Sequence, residues 1–170
     1  MTFDPRQICS AFNDEGVRYV LIGGFAAAVH GSPLPTSDVD IVPDREGDNL
    51  ERLARALHRL HARLRTAAGP VEVLLDAGFL GAMPIMLNLV TDAGDVDLTF
   101  APAGPLDGYR GWDADAVEVE IAPALRVRIA SLNDIIESKR AVGRPKDQLA
   151  LPYLESLRDE IAATRDSPNE

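Results

Sequence analysis

The chain has 170 residues, 46% of them hydrophobic, and carries 17 basic against 27 acidic side chains for a net charge of −10. That length bounds one domain with a real core, and the acidity excludes a general nucleic-acid coat, whose surface must be basic. A lone Cys9 excludes an intramolecular disulfide and suits a reducing cytoplasm, no apolar run reaches membrane-spanning length, and residues 1–5 lack a signal-peptide pattern.

Asp4 and Pro5 read as an N-cap and first helical position, with Ile8, Cys9 and Phe12 as the apolar stripe and Gly16 as the stop. The apolar run Tyr19 to Ile22 ends in Gly23-Gly24, small residues follow from Phe25 to His30, and Gly31 to Pro35 forms a break. A second apolar run carries Asp38 and Asp40. The pattern is strand, glycine turn, helix, loop, strand. Side chains alternate along a strand, so Asp38 and Asp40 share one face while Val39 and Ile41 enter the core. Two adjacent carboxylates repel unless a cation lies between them or one keeps its proton. A hard divalent ion such as Mg2+ is the natural partner for clustered carboxylate oxygens. The Gly23-Gly24 turn opens a helix N-terminus whose N–H groups suit a phosphate. A metal pair beside a phosphate cradle points to phosphoryl or nucleotidyl transfer. His30 reads as structural, closing the turn before Gly31.

Residues 47–65 predict one amphipathic helix, buried through Leu50, Leu53, Leu57, Leu60 and Leu64. Arg52, Arg55, Arg59 and Arg63 would form a second stripe, read first as a solvated face and alternatively as a contact for RNA phosphates. His58 and His61 lack a third ligand nearby and read as surface residues. Ala68-Gly69-Pro70 is a break, Val71 to Leu75 a short apolar piece, and Gly78 and Gly81 mark a loop. Ile85 to Val90 and Asp95 to Phe100 predict strands joined by a hairpin turn at Asp92-Ala93-Gly94. Asp97, between Val96 and Leu98 in a core strand, needs a reason to be there.

The Pro/Gly-rich connection from Ala101 to Gly111 holds a short helix near 106–109, and Trp112 reads as packing rather than base stacking. Residues 117–121 and 125–129 alternate as a hairpin with its turn at Ala122-Pro123, placing Glu118 and Glu120 opposite Arg126 and Arg128. Ser131 caps the next helix, which Gly143 stops. Pro145 opens the last helix, running through Leu149, Leu151, Leu154 and Leu157 to about Ala163, and residues 166–170 predict a disordered tail. The segment 126–146 has six basic residues against Asp134 and Glu137, a local charge of +4, and it holds both lysines of the chain, Lys139 and Lys146. Cations can stabilise helix ends, but two lysines confined to one motif favour a functional reading.

These blocks resemble the nucleotidyltransferase superfamily typified by polymerase beta. Gly23, Gly24, Ala26, His30, Gly31, Pro33, Thr36, Asp38 and Asp40 fit the extended signature of the minimal bacterial members, a group that includes the AbiE-type toxins of toxin–antitoxin systems. The block from Ser131 to Asp147 resembles the second family motif. The resemblance implies an α+β fold with a mixed, palm-like sheet, flanking helices and a short C-terminal helical segment. It covers roughly residues 15–160 of a single domain expected over 1–165, with a core at 15–130 and C-terminal helices at 131–165. It makes Asp97 the third acid, with Asp95 as the fallback, so that Asp38, Asp40 and Asp97 would hold one or two Mg2+ or Mn2+ ions. Gly23, Gly24 and Thr36 would cradle or order the phosphates of an NTP, and Lys139 would be the main triphosphate ligand, with Arg144 and Lys146 behind it. The implied activity is transfer of NMP to an acceptor hydroxyl. The leading acceptor is RNA at the tRNA 3′ end, as the toxin of a pair with a cognate antitoxin. The alternatives are a small molecule such as an aminoglycoside, or a catalytically inactive antitoxin or binding module. Leu34 stands where relatives often carry arginine, Gly24 where many carry serine, and the large helical C-terminal domain of bigger AbiE toxins has no counterpart here.

Overall fold

The computed structural model describes residues 2–166. Helix α1 (Pro5–Asp14) starts where Asp4 accepts a hydrogen bond from the Gln7 N–H, and it buries Ile8, Cys9, Ala11 and Phe12. Gly16, at φ +70°, then turns the chain into β1 (Tyr19–Ile22). Helix α2 (Gly23–His30) ends on Gly31 in the left-handed conformation, and β2 (Asp38–Pro43) follows. Next come α3 (Gly47–Arg59), β3 (Arg63–Thr66), β4 (Gly69–Val71) and the short α4 (Ala77–Gly81). The hairpin β5 (Met86–Thr91) and β6 (Gly94–Thr99) turns through Asp92-Ala93 as expected. Helix α5 (Gly108–Ala114) leads to the hairpin β7 (Val117–Ala122) and β8 (Leu125–Ile129). Helices α6 (Leu132–Val142) and α7 (Pro145–Asp166) close the described chain.

The eight strands form one mixed sheet in the order β4-β3-β5-β6-β2-β1-β8-β7. β2 pairs antiparallel with β1 and parallel with β6, and β1 runs parallel to β8. Period-two alternation therefore acts across the sheet and not only along a strand. Val39, Ile41, Leu87, Leu89, Val96 and Leu98 align on one face, all buried. The aspartates of β2 and β6 are left on the other. Helix α2 packs on β1 and β2, and α6 packs against α2 and α7.

Four local expectations are corrected. The helix expected over 47–65 stops at Arg59: Leu60 caps it, His61 takes φ +52°, and Arg63–Thr66 pairs as β3 with β4 and β5. Arg63 therefore leaves the helical arginine stripe. The loop expected around Gly78 and Gly81 is α4, capped by Asp76 on the Phe79 N–H. The short helix after Ala101 sits at Gly108–Ala114 rather than 106–109, because Trp112 anchors it at 1% exposure. Leu149 is 74% exposed, whereas Leu154 is buried as expected and is joined there by Asp147 and Ala150. Of the tail expected at 166–170, Asp166 ends α7 and the rest lies outside the described residues.

Candidate active site

The parallel register between β2 and β6 sets Asp38 beside Asp95 and Asp40 beside Asp97. All four occupy alternate positions, so they form a two-by-two block of carboxylates on one face. Asp38, Asp40 and Asp97 each offer an oxygen, and these atoms lie within 4.8 Å of one another. Three hard oxygen donors at that spacing fit a Mg2+-type ion.

Burial pushes the Asp40 carboxyl up to about 7, and the charges of Asp38 and Asp97 push the same way against Lys146 and Lys139. Burial also raises Asp97, to about 6; Arg65 opposes the rise, while Asp38 and Asp95 add to it. Both groups are therefore held partly in the form that resists ionisation until a cation arrives. Among the described residues, neither Asp38 nor Asp40 has an ion-pair partner.

Gly23 stands over this block at φ +68°, and a Cβ there would lie 2.3 Å from Asp40 Oδ2. Only glycine permits that approach. No side chain caps α2, whose N-cap is Ile22, so the first N–H groups of the helix stay available next to the carboxylates. A Cβ on Gly24 would meet Thr36 Oγ1 at 3.0 Å. The missing side chain at 24 makes room for Thr36, whose hydroxyl lies 3.3 Å from both the Asp38 backbone carbonyl and Asp38 Oδ1. Thr36 thus ties the loop to the first acid. His30 bonds the Ala130 carbonyl at 2.8 Å and joins α2 to the end of β8, a structural part as expected.

The acids and glycines line a cleft of about 520 Å³ that also takes in Met86, Asn88 and Thr99 of the sheet, Lys139 of α6, Arg144 of the connection after it, and Lys146 and Asp147 of α7. Asp147 is 1% exposed and accepts from both Lys139 Nζ, at 3.3 Å, and Arg144 Nε, at 2.8 Å. Burial pushes its carboxyl up, but Arg144 and Lys139 outweigh this and hold it below the ordinary value. Lys146, one position earlier on α7, lines the cleft without a hydrogen bond or ion pair among the described residues. Its charge still reaches Asp40 and Asp97. The structure therefore brings all three expected cations to the cleft but leaves Lys146, not Lys139, free.

No family model and no curated protein matches the sequence. Solved structures do match. One is a Thermotoga maritima protein provisionally described as a nucleotidyltransferase, 17% identical, covering 93% of this chain and 90% of its own, with a TM-score of 0.56. Another is the lincosamide antibiotic adenylyltransferase LnuA bound to lincomycin, 15% identical, covering 92% of this chain and 99% of its own, with a TM-score of 0.61. The fold is that of the nucleotidyltransferases.

On this nucleotidyltransferase fold one further residue meets the acids. Arg65 of β3 forks onto Asp95 Oδ2 at 2.5 Å and Asp97 Oδ1 at 2.8 Å. The sequence reading missed it because it placed residue 65 at the end of a helix. The alternation Arg63-Leu64-Arg65 was the available signal. His58 and His61 join no metal cluster among the described residues, and His61 faces Asp92 instead. Trp112 is buried against the cleft wall, and its indole nitrogen has no partner among the described residues.

Proposed function

We propose that the protein is a metal-dependent nucleotidyltransferase that transfers NMP from an NTP to a hydroxyl of a small acceptor molecule. The observation that carries the transfer reading is the convergence of Asp38, Asp40 and Asp97 beneath an uncapped, glycine-opened helix N-terminus. Asp38, Asp40 and Asp97 would hold the divalent ion, Mg2+ or Mn2+, which when bound neutralises triphosphate charge and acidifies the attacking hydroxyl. The N–H groups at Gly23 and Gly24 bind the phosphate oxygens, and Lys146 adds its charge to the same anion. The acceptor oxygen bonds to the α-phosphorus as the α–β anhydride bond breaks and pyrophosphate leaves. Asp97, on the strand beside Asp40, takes the hydroxyl proton.

The acceptor follows from where the cations are spent. Arg52, Arg55 and Arg59 on α3 pair with Asp48, Glu15 and Asp14. Arg126 pairs with Glu118, Arg128 with Asp113, and Arg140 with Glu137 and Glu155. Most cations of the two stretches considered for an RNA backbone are therefore paired with their own neighbours, Lys146 excepted, in a chain of net charge −10. This favours a small hydroxylated acceptor over the tRNA 3′ end and its toxin role. LnuA, of the same fold, is by name an adenylyltransferase of a small antibiotic.

The test incubates the protein with each labelled NTP and Mg2+, together with total RNA or a panel of hydroxylated small molecules including aminoglycosides and lincosamides. Label in a small molecule, lost in Asp38→Ala, is the expected result. Label in tRNA restores the RNA reading, and no transfer to any acceptor leaves an inactive binding module.

A further inference from the structure

The two halves of the carboxylate block are not equivalent. On β6, Asp95 and Asp97 share one guanidinium: Arg65 donates to an oxygen of each through its two terminal nitrogens. On β2, Asp38 and Asp40 accept from no cation among the described residues, and the only side-chain donor to either is Thr36 on Asp38. The asymmetry is built by the sheet. β3 lies outside β5, which lies outside β6. β3 pairs with β5 at Arg63↔Val90 and Leu64↔Leu89, which continues to place Arg65 level with Asn88, itself the partner of Asp97. Arg65, Asn88, Asp97 and Asp40 thus stand in one row across four strands, and the long arginine reaches over the shorter asparagine.

From this we infer that Arg65 is the resident counter-cation of the block, a positioning residue that reserves the Asp95 side of β6 and confines divalent-cation binding to one ion at Asp38, Asp40 and the remaining oxygen of Asp97. A guanidinium is always charged and cannot be displaced by deprotonation. It takes up Asp97 Oδ1 and leaves Oδ2 for the cluster with β2. It also keeps Asp95, which matches Asp97 in face and sits two residues away, out of metal binding. A second divalent ion on the β6 side would have to evict the arginine or sit beside its positive charge, and both are unfavourable. The inference rests on the metal-dependent reading above.

The experiment is Mn2+ titration of the nucleotide-free protein, following free Mn2+ by its spin-resonance signal, for wild type, Arg65→Gln, Arg65→Lys and Asp38→Ala. Wild type is expected to bind one Mn2+ per chain and Asp38→Ala none. Arg65→Gln is expected to bind the first ion roughly threefold or more tightly, since a nearby positive charge is gone, and to take up a second. Arg65→Lys, which keeps the charge, is expected to retain a single ion, and its circular dichroism controls for folding. A folded Arg65→Gln with wild-type affinity and one ion would show that the arginine only braces β3 and would overturn this inference alone. Two ions on wild type without nucleotide would overturn it as well. No Mn2+ on wild type would overturn the metal-dependent reading and this inference together.

Discussion

Gly23 and Asp40 are in contact across the β1–α2 turn, so close that a methyl group on Gly23 would sit 2.3 Å from Asp40 Oδ2. Gly23→Ala therefore has two effects. The φ of +68° costs an L-residue about 1–2 kcal/mol, and the methyl displaces the second acid. Chemical denaturation should report the first and Mn2+ titration the second. A variant that binds Mn2+ as wild type does would show that Asp40 is not needed where it stands.

Removal of divalent ions exposes a pH dependence. Asp40 is raised from an ordinary value of 3.8 to about 7 and Asp97 to about 6. Their folded values exceed the unfolded ones, so the folded state holds their protons more tightly. The stability this supplies is full below about pH 4 and is lost as pH rises through 6 to 7. In EDTA, the melting temperature of Asp40→Asn should fall less between pH 5 and 8 than that of wild type, and adding Mg2+ to wild type at pH 8 should restore what ionisation removed. Parallel pH profiles for the two proteins in EDTA would contradict the raised carboxyl.

Lys139 and Lys146 should separate by phenotype. Lys139 is tied to the buried Asp147, so Lys139→Met should destabilise the fold, by less than the roughly 3–5 kcal/mol of a charge left wholly unpaired because Arg144 remains. Lys146→Met should leave the melting temperature in place and raise the KM for the NTP. The reverse assignment, with Lys139→Met shifting only KM, would return Lys139 to the triphosphate.

The arginines of α3 provide a control on the acceptor. A triple change of Arg52, Arg55 and Arg59 to serine removes exposed ion pairs to Asp48, Glu15 and Asp14. Transfer rates should be unchanged and the salt dependence of transfer no steeper. A tenfold or larger loss confined to RNA acceptors would restore that face as a nucleic-acid contact.

The stretch from Tyr19 to Ile41 was legible because its signals agree: an apolar run, a glycine pair and alternating acids each demand the same strand–turn–helix–strand path. The β5–β6 and β7–β8 hairpins were legible for the same reason. The region 60–81 was not. Leu53, Leu57, Leu60 and Leu64 keep a helical interval through the end of α3, although Leu64 belongs to a strand. What breaks the helix is His61 at φ +52° and the pairing of Arg63–Thr66 with β5, neither of which a local pattern reveals. Arg65 was lost with that misreading. The fate of the basic residues in 126–146 was also hidden, because their partners Asp113, Asp147 and Glu155 come from other elements. The hairpin pairing was only half right: Arg126 takes both Glu118 and Glu120, while Arg128 goes to Asp113.

Because Lys146 and Asp147 stand in the first turn of α7, part of the positive wall of the cleft is synthesised well after Gly23, Asp38 and Asp97. A nascent chain halted before α7 would carry Lys139 and Arg144 but neither Lys146 nor Asp147, the buried carboxylate that both of them contact. On the transferase reading proposed above, removing α7 should cost transfer, because Lys146 goes with it and Lys139 and Arg144 lose the carboxylate that holds them.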